Sequence, residues 1–426
     1  MNMVEKILAR ASGNKEVRPG DVVVAKVDLM VMHDLSSNFV MKVFENEMEN
    51  ATIADPSRIA FVFDHNFSPA TQQAAEALAA VRKFAARHGI RNVFDSGSGS
   101  VHHVIIESGL WSPGNIIIGC DSHTPIYGAL GLFATGVGNN SMAALGFPHG
   151  LGWFRVPDTI QVRFHGEPQP GVGARDVCQH MVGRIGEDGA VYKALEYAGP
   201  YMESLSVEDR MLFPLMSIDV GAKCGFVNPD EKTRSYAKSI LSGRTFEMPV
   251  NDPGTKYEKV LEIDVSRLEP QVACPPTVGN VKPIQEVEGT AVNVAEIGGS
   301  TGGRLSDIRQ LASYFQNRRV HPGVRLQVVP ATRGIYRAAL REGLIDTLFA
   351  AGANIFPPSA GSNQAFNMGA MAEDEAMISN QARNFPGRNG HPKARHYLGS
   401  TMTVAASAAA GRLTDPRKDR KGDSPL

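Results

Sequence analysis

"NIIIGCDSHT", residues 115–124, sets an unbroken β-branched run, Ile116 to Ile118, directly before a cluster of polar side chains. A short, continuously apolar run of this kind is the pattern of a strand buried on both faces. The polar residues begin where that run ends, so Asp121 and His123 stand at the carboxyl end of the strand. In open α/β sheets this is the edge where ligands sit. "RIAFVFDHN" (58–66) repeats the arrangement and delivers Asp64 and His65. "SPATQQAAEALAAVRKFAARHG" (68–89) follows as a long Ala-rich helix with Gly89 as its stop.

The same alternation extends along the chain. "DTIQVRFHGEPQPGVGARDV" (158–177) reads as strand, turn and helix. "LSDIRQLASYF" (305–315) reads as a helix, "VRLQVVP" (324–330) as a strand and "GIYRAALREGLID" (334–346) as a helix. The fold class is therefore α/β. The Pro/Gly-rich stretch "EPQVACPPTVGNVKPIQEV" (269–287) is the best candidate boundary. Together these segments give an expected division into 1–165, 166–280 and 281–416, with a polar tail over 417–426.

Composition narrows the function. The 426 residues are 42% hydrophobic and 20% charged, which is ordinary for a globular protein with a sizeable core. A formal net charge of −1 gives no electrostatic footprint for nucleic acid or an anionic membrane surface. The longest apolar runs are too short to span a bilayer. The opening "MNMVEKILARASGNKE" reads as a short amphipathic helix rather than a secretory signal, and the protein is expected to be cytoplasmic. The four cysteines, Cys120, Cys178, Cys224 and Cys274, form no C-x-x-C pair and read as buried thiols. No phosphate-loop motif G-x-x-x-x-G-K-[ST] occurs.

Chemistry concentrates in acid–imidazole pairs. Asp64-His65 and Asp121-x-His123 lie at strand ends, His102-His103 follows the loop "DSGSGSV", and His33-Asp34 follows the apolar "LMVM". A carboxylate beside an imidazole fixes its tautomer and raises its basicity, which suits acid/base work near neutral pH. The same groups are ordinary ligands for a divalent metal. Any one of these histidines alone reads better as a hydrogen-bonded structural group; their recurrence near strand ends and polar loops favours a shared active site. In "ARNFPGRNG", Arg383 and Arg388 are held by a Gly/Pro turn and can grip carboxylates bidentately.

These segments, with "VHHVIIESGLWSPGNIIIGCDSHTPIYGALG" (101–131), "IDVGAKCGFVNPDE" (218–231), "IGGSTGGRLSDI" (297–308) and "YLGSTMTVAASAAAGRLTDPR" (397–417), occur in the order found in one family. The chain resembles the aconitase superfamily, in particular the large subunits of isopropylmalate isomerase and homoaconitase. The resemblance implies a three-domain α/β/α architecture around a central cleft, without the swivel domain in this chain. It further implies a separate small swivel-domain subunit and dehydration–rehydration of a small hydroxy di- or tricarboxylate.

Carried over by position, Asp64, His65, His102, Asp121, His123 and Asp219 match the family's catalytic groups, Asp219 standing where a glutamate is usual. His33, Ser122, Ser300, Thr301, Arg383 and Arg388 match substrate-contacting positions. The family's 4Fe-4S cluster is held by three cysteines. Here those positions are Ser300, Ala360 and Asn363, or with a small gap Ser359 and Ser362 for the latter two, and Gly302 replaces the usual asparagine. Hydroxyls and amides do not replace thiolates in such a site, so no 4Fe-4S cluster is expected.

Three readings follow. The first is a hydro-lyase or isomerase, served by a mononuclear divalent metal on some of His33, Asp64, His65, His102, Asp121, His123 and Asp219. The second is an acid/base-only double-bond isomerase or epimerase. The third is an inactive carboxylate-binding or partner subunit.

Overall fold

The computed structural model describes residues 1–48, 50–363 and 367–418. The chain divides into two compact units, each discontinuous in sequence. The first unit comprises Met1–Asp95, Val104–His165 and Asp188–Ile263; the second comprises Ser96–His103, Gly166–Glu187 and Asp264–Leu426. This is a different division from the three consecutive segments drawn from composition: residues 166–280 contribute to both units. Most of the polar tail, residues 419–426, lies outside the described residues.

The first unit is built on a five-stranded sheet. Its spatial order is Asn92–Phe94, Ile59–Val62, Leu29–His33, Ile116–Gly119 and Phe133–Gly136. All neighbours are parallel. From Leu29–His33 the chain winds outward first to one side and then to the other, so the order reverses between Leu29–His33 and Ile116–Gly119. Such a switch point opens a crevice at the carboxyl ends of the two strands. The three central strands, Ile59–Val62, Leu29–His33 and Ile116–Gly119, are buried throughout, as their unbroken apolar runs require.

Gln72–Arg87 forms the expected long helix. Thr71 caps it by accepting from the Ala74 N–H at 3.1 Å, and Leu78, Val81, Phe84 and Ala85 make its buried stripe. A four-stranded sheet runs in the order Cys224–Val227, Ala194–Ala198, Thr159–His165 and Lys259–Asp264. Val22–Lys26 pairs antiparallel with Leu151–Arg155.

The second unit carries a seven-stranded sheet in the order Val281–Pro283, Gln271–Ala273, Arg395–Leu398, Ala376–Ser379, Val294–Ile297, Arg325–Val328 and Asn354–Ile355. Its five strands from Arg395–Leu398 to Asn354–Ile355 are parallel, and the order reverses at Val294–Ile297. A second switch point therefore lies where the loops after Ile297 and Ser379 leave the sheet. The Pro/Gly-rich stretch 269–287 is not a linker: it forms an antiparallel hairpin whose inner strand pairs with Arg395–Leu398. Pro275, Pro276 and Gly279 serve the turn between its strands.

Leu305–Phe315 is helical as expected, with Ile308, Leu311, Ala312 and Phe315 buried. Residues 334–346, read as one helix, lie in two, Arg333–Arg341 and Leu344–Ala350. Gly343 adopts φ 72°, a left-handed conformation that ends the first helix and that a side chain would resist. No helix among the described residues is long and apolar enough to cross a membrane.

Candidate functional sites at the two switch points

In the first unit, His33 ends its strand and starts the helix Asp34–Glu47, its Nδ1 accepting from the Ser36 N–H at 3.4 Å. That bond leaves the proton of a neutral ring on Nε2, which lies 3.7 Å from an Asp121 carboxylate oxygen across the switch point. Asp121 also receives the His123 backbone N–H at 2.7 Å and lies 3.6 Å from His123 Nδ1. His65 Nδ1 lies 2.8 Å from Asp64 Oδ1, and the His65 and His33 rings meet with centroids 4.7 Å apart. Five expected residues, His33, Asp64, His65, Asp121 and His123, are thus brought into one connected cluster.

Asp34 organises it. This buried carboxylate takes the backbone N–H groups of Asp64, His65 and Asn66, at 3.1, 3.0 and 2.9 Å, and the Asn66 side-chain amide at 2.9 Å. It fixes the 64–66 turn at the strand end. Desolvation opposes its ionisation, but the facing His65 charge and these N–H donors hold its pKa below the ordinary carboxylate value.

The two stacked histidines are driven apart electrostatically. Burial disfavours charge on His65, yet Asp64, Asp34 and Asp121 outweigh it and raise its pKa to about 9. Burial and the neighbouring His65 lower that of His33, with the three aspartates acting in opposition. At neutral pH one ring is an imidazolium and the other is neutral. Tyr127, fully buried in the 3-10 turn Thr124–Leu130, has its hydroxyl held protonated by burial and by Asp121 and Asp64. Neither Asp34's scaffolding nor Tyr127 could be inferred from spacing. Ser122 is half-buried beside Asp121. Asp219 is buried in a separate 3-10 turn, Ser217–Val220, anchored by Ser217 to the Tyr197 hydroxyl at 2.8 Å.

His102 and His103 belong to the second unit. The segment before them is tied there by the Ser100 N–H to Ala331 O and the Arg333 N–H to Ser98 O, at 2.8 and 3.0 Å. His102 is buried on the first turn of the helix Val101–Ser108. His103 Nε2 donates to the Ser300 carbonyl at 3.1 Å, and burial together with Arg304 and His102 lowers its pKa to about 4.

The loop after Ile297 packs on the loop after Ser379. The Asn380 side chain accepts from the Gly298 N–H at 2.9 Å, and Thr301 Oγ1 donates to Asn380 O at 2.6 Å, so the hydroxyl proton of Thr301 serves loop positioning. Gly302 leaves room for Asn380: a Cβ there would come within 2.1 Å of the carboxamide. Arg175, which no motif marks, donates to the carbonyls of Asn380 and Gln381. Beyond them Arg383 sits at φ 67°, a strained conformation for a side-chain-bearing residue. Arg388 is buried with its guanidinium 5.2 Å from the exposed Phe385 ring. Burial, Arg388 and Arg175 lower the pKa of His396 to about 3.

Gly298-x-Ser300-x-Gly302 between a strand and a helix has the spacing of a nucleophile elbow. An elbow holds its serine in strained backbone, yet Ser300 is not among the positive-φ residues, and His103 meets its carbonyl rather than its hydroxyl. The arrangement is not that of an activated nucleophile.

Nor do these loops fit a 4Fe-4S cluster. Thiolates hold such clusters, and the matching positions present the hydroxyl, methyl and carboxamide of Ser300, Ala360 and Asn363. Ser359 and Ser362, the gapped alternatives, are buried hydroxyls, and the Glu296 carboxylate lies 2.5 Å from where a Cβ of Gly361 would stand. The thiols lie elsewhere: Cys178 in the helix Ala174–Ile185, Cys274 beside Val272, and Cys120 and Cys224 in the first unit, where burial pushes both pKa values up to about 12. In the first unit one donor set could hold a metal: ligand atoms of His33, Asp34, Asp64 and His65 all lie within 4.8 Å of one another.

Known proteins match this chain over nearly its whole length. The model of the aconitase family (aconitate hydratase) matches residues 5–411. The 3-isopropylmalate dehydratase large subunit 1 of Methanopyrus kandleri is 44% identical over 417 residues, covering 97% of this chain and 98% of that protein. The probable methanogen homoaconitase large subunit of Methanothermobacter thermautotrophicus is 42% identical over 422 residues, 98% of each chain. The 3-isopropylmalate dehydratase large subunit of Aquifex aeolicus is 41% identical over 430 residues, 100% of this chain and 99% of that one.

Proposed function

The chain belongs to the aconitase family, and we propose that it is a lyase that interconverts small hydroxy di- or tricarboxylates by loss and return of water, without a 4Fe-4S cluster. The reading is carried by the contact between a charged His65 and a neutral His33 in one buried cluster. His65 is thereby kept as the proton donor of the cluster, while the neutral His33 faces Asp121.

His65, oriented by Asp64, is the general acid. Asp121 is the general base, because its side chain is 19% exposed while Asp64 and Asp34 are at most 1% exposed. Asp121 removes the proton from the carbon next to a carboxylate as the neighbouring carbon–oxygen bond breaks. His65 Nε2 protonates the departing hydroxyl, which leaves as water, and reversal on the other carbon completes an isomerisation. Arg383 and Arg388 of the second unit are assigned to substrate carboxylates by their motif positions alone.

A panel of hydroxy dicarboxylates in deuterium oxide tests the scheme. Alkene formation with deuterium incorporation supports it. Deuterium exchange without alkene would establish the isomerase or epimerase instead, and neither would mark a carboxylate-binding subunit. The clustering of ligand atoms favours one second reading, a mononuclear divalent metal on His33, Asp34, Asp64 and His65. Loss of turnover on chelation, restored by a divalent ion, would establish it.

Three of these relatives are named as large subunits, which supports a separate smaller partner; co-purification with a tagged small subunit tests this. The scattered free thiols are in keeping with a cytoplasmic protein.

A further inference from the structure

Beneath the loop that replaces the cluster motif, the second unit buries a set of oxygens that the proposed reaction does not use. Glu296 lies in Val294–Ile297 with no exposed surface. Its Oε1 receives the Ser362 N–H at 3.1 Å and the Gln381 side-chain amide. The same Gln381 amide donates to Ser362 Oγ at 2.9 Å, and the Asn389 amide donates to Ser362 O and Oγ, both at 2.8 Å. Strand register places Gln327 directly beside Glu296, on the same face of the sheet. Gln327 Oε1 is also 3.0 Å from where a Cβ of Gly369 would stand, a point 2.3 Å from Ser362 Cβ. Five residues from two strands and two loops converge on one spot.

In this network the side-chain amide donors of Gln381 and Asn389 are used and the acceptors are left over. Glu296 Oε2, Gln327 Oε1, Gln381 Oε1 and Asn389 Oδ1 are all buried without a hydrogen-bond partner, and the four residues are at most 6% exposed. Buried acceptors without donors are costly, and a buried carboxylate more so. A surplus made only of oxygens calls for a species that brings positive charge and no acceptor of its own. Carboxylate, carboxamide and hydroxyl oxygens are hard ligands, which excludes thiophilic metals. A single carboxylate balances one positive charge.

We propose that the second unit binds a dehydrated monovalent cation, potassium or sodium, through Glu296, Gln327, Gln381, Asn389 and Ser362. The site pins the loops after Ile355 and Ser379 to the strands that carry Glu296 and Gln327. It does not depend on the reaction proposed above.

The test is thermal unfolding of the full chain purified in choline chloride, titrated with potassium, sodium or magnesium chloride at constant ionic strength, beside thallium(I) NMR on the same samples. Expected is a saturable rise in Tm with potassium or sodium over choline, and a bound thallium resonance displaced by that ion. Both are lost in Glu296→Gln and weakened in Gln327→Met, the milder variant should the first not fold. No rise over choline, a response to magnesium alone, or an undiminished response in folded Glu296→Gln would overturn the proposal. The last would mean that Glu296 is a protonated structural group.

Discussion

The two units use the same architecture and reach opposite electrostatic results. Each contains a run of five parallel strands whose order reverses once, and each gathers buried histidines near the loops that leave the reversal. In the first unit aspartates surround His65 and burial yields an imidazolium. In the second, arginines face His103 and His396 and burial yields neutral rings. Desolvation acts identically on all three, so the sign of the neighbouring charge decides the outcome. The hydrogen-bond ledger differs as well: Asp34 collects four N–H donors, whereas four oxygens around Glu296 collect none.

The hardest blow to this contrast is at its charged histidine. His65→Gln removes the proposed acid and should lower kcat by roughly 10²–10⁴-fold with the fold retained. Unchanged turnover would take catalysis away from the first unit. Asp121→Asn should fall in the same range and lose deuterium exchange, which separates base from acid.

Next comes the arginine loop. Arg388→Lys gives up bidentate geometry, and the loss of charge-assisted bonds worth about 1.5–3 kcal/mol should reduce kcat/KM by roughly 10–100-fold. A rise in KM alone identifies carboxylate binding; a fall in kcat alone would reassign the residue to chemistry.

Packing between the second unit's loops supplies a smaller effect. Gly302→Ala drives a methyl into the Asn380 carboxamide and should destabilise by about 1–3 kcal/mol, read by urea unfolding. Asn380→Gly in the same chain should recover part of that loss, and purely additive losses would refute the contact.

The finest probe is stability against pH. The folded pKa of His65 lies above its unfolded value, so its contribution is complete below pH 6.5 and is lost as pH rises through about 9. His103 and His396 have folded values below the unfolded one, so their contribution is complete above pH 6.5 and is lost as pH falls toward 4. Of the protons taken up on acid unfolding near pH 5, these two rings should contribute about two. His396→Gln should shallow the acid limb only, and His65→Gln the alkaline limb only; the reverse assignment would sink the comparison.

Much of this was legible in the chain. Apolar runs that stop at Asp64, Asp121 and His33 mark the carboxyl ends of buried strands, because a both-faces-buried strand has no polar residues until it leaves the sheet. The 269–287 stretch misled because composition reports turn residues, not whether flanking strands pair. The split at Gly343 follows from one residue's backbone preference, which a periodicity reading passes over. Arg175 carried no signal, since the carbonyls it holds are about two hundred residues away in sequence.

Sequence by itself settled most of the elements, the acid–imidazole pairs and the lack of thiols at the motif positions, since each is a property of side-chain type or short-range spacing. Only the folded chain decided which imidazole carries a proton, that Asn380 occupies the room left by Gly302, and that Glu296 and Gln327 lie side by side. Those outcomes depend on fields and volumes shared by residues far apart along the chain, and neither composition nor period encodes them.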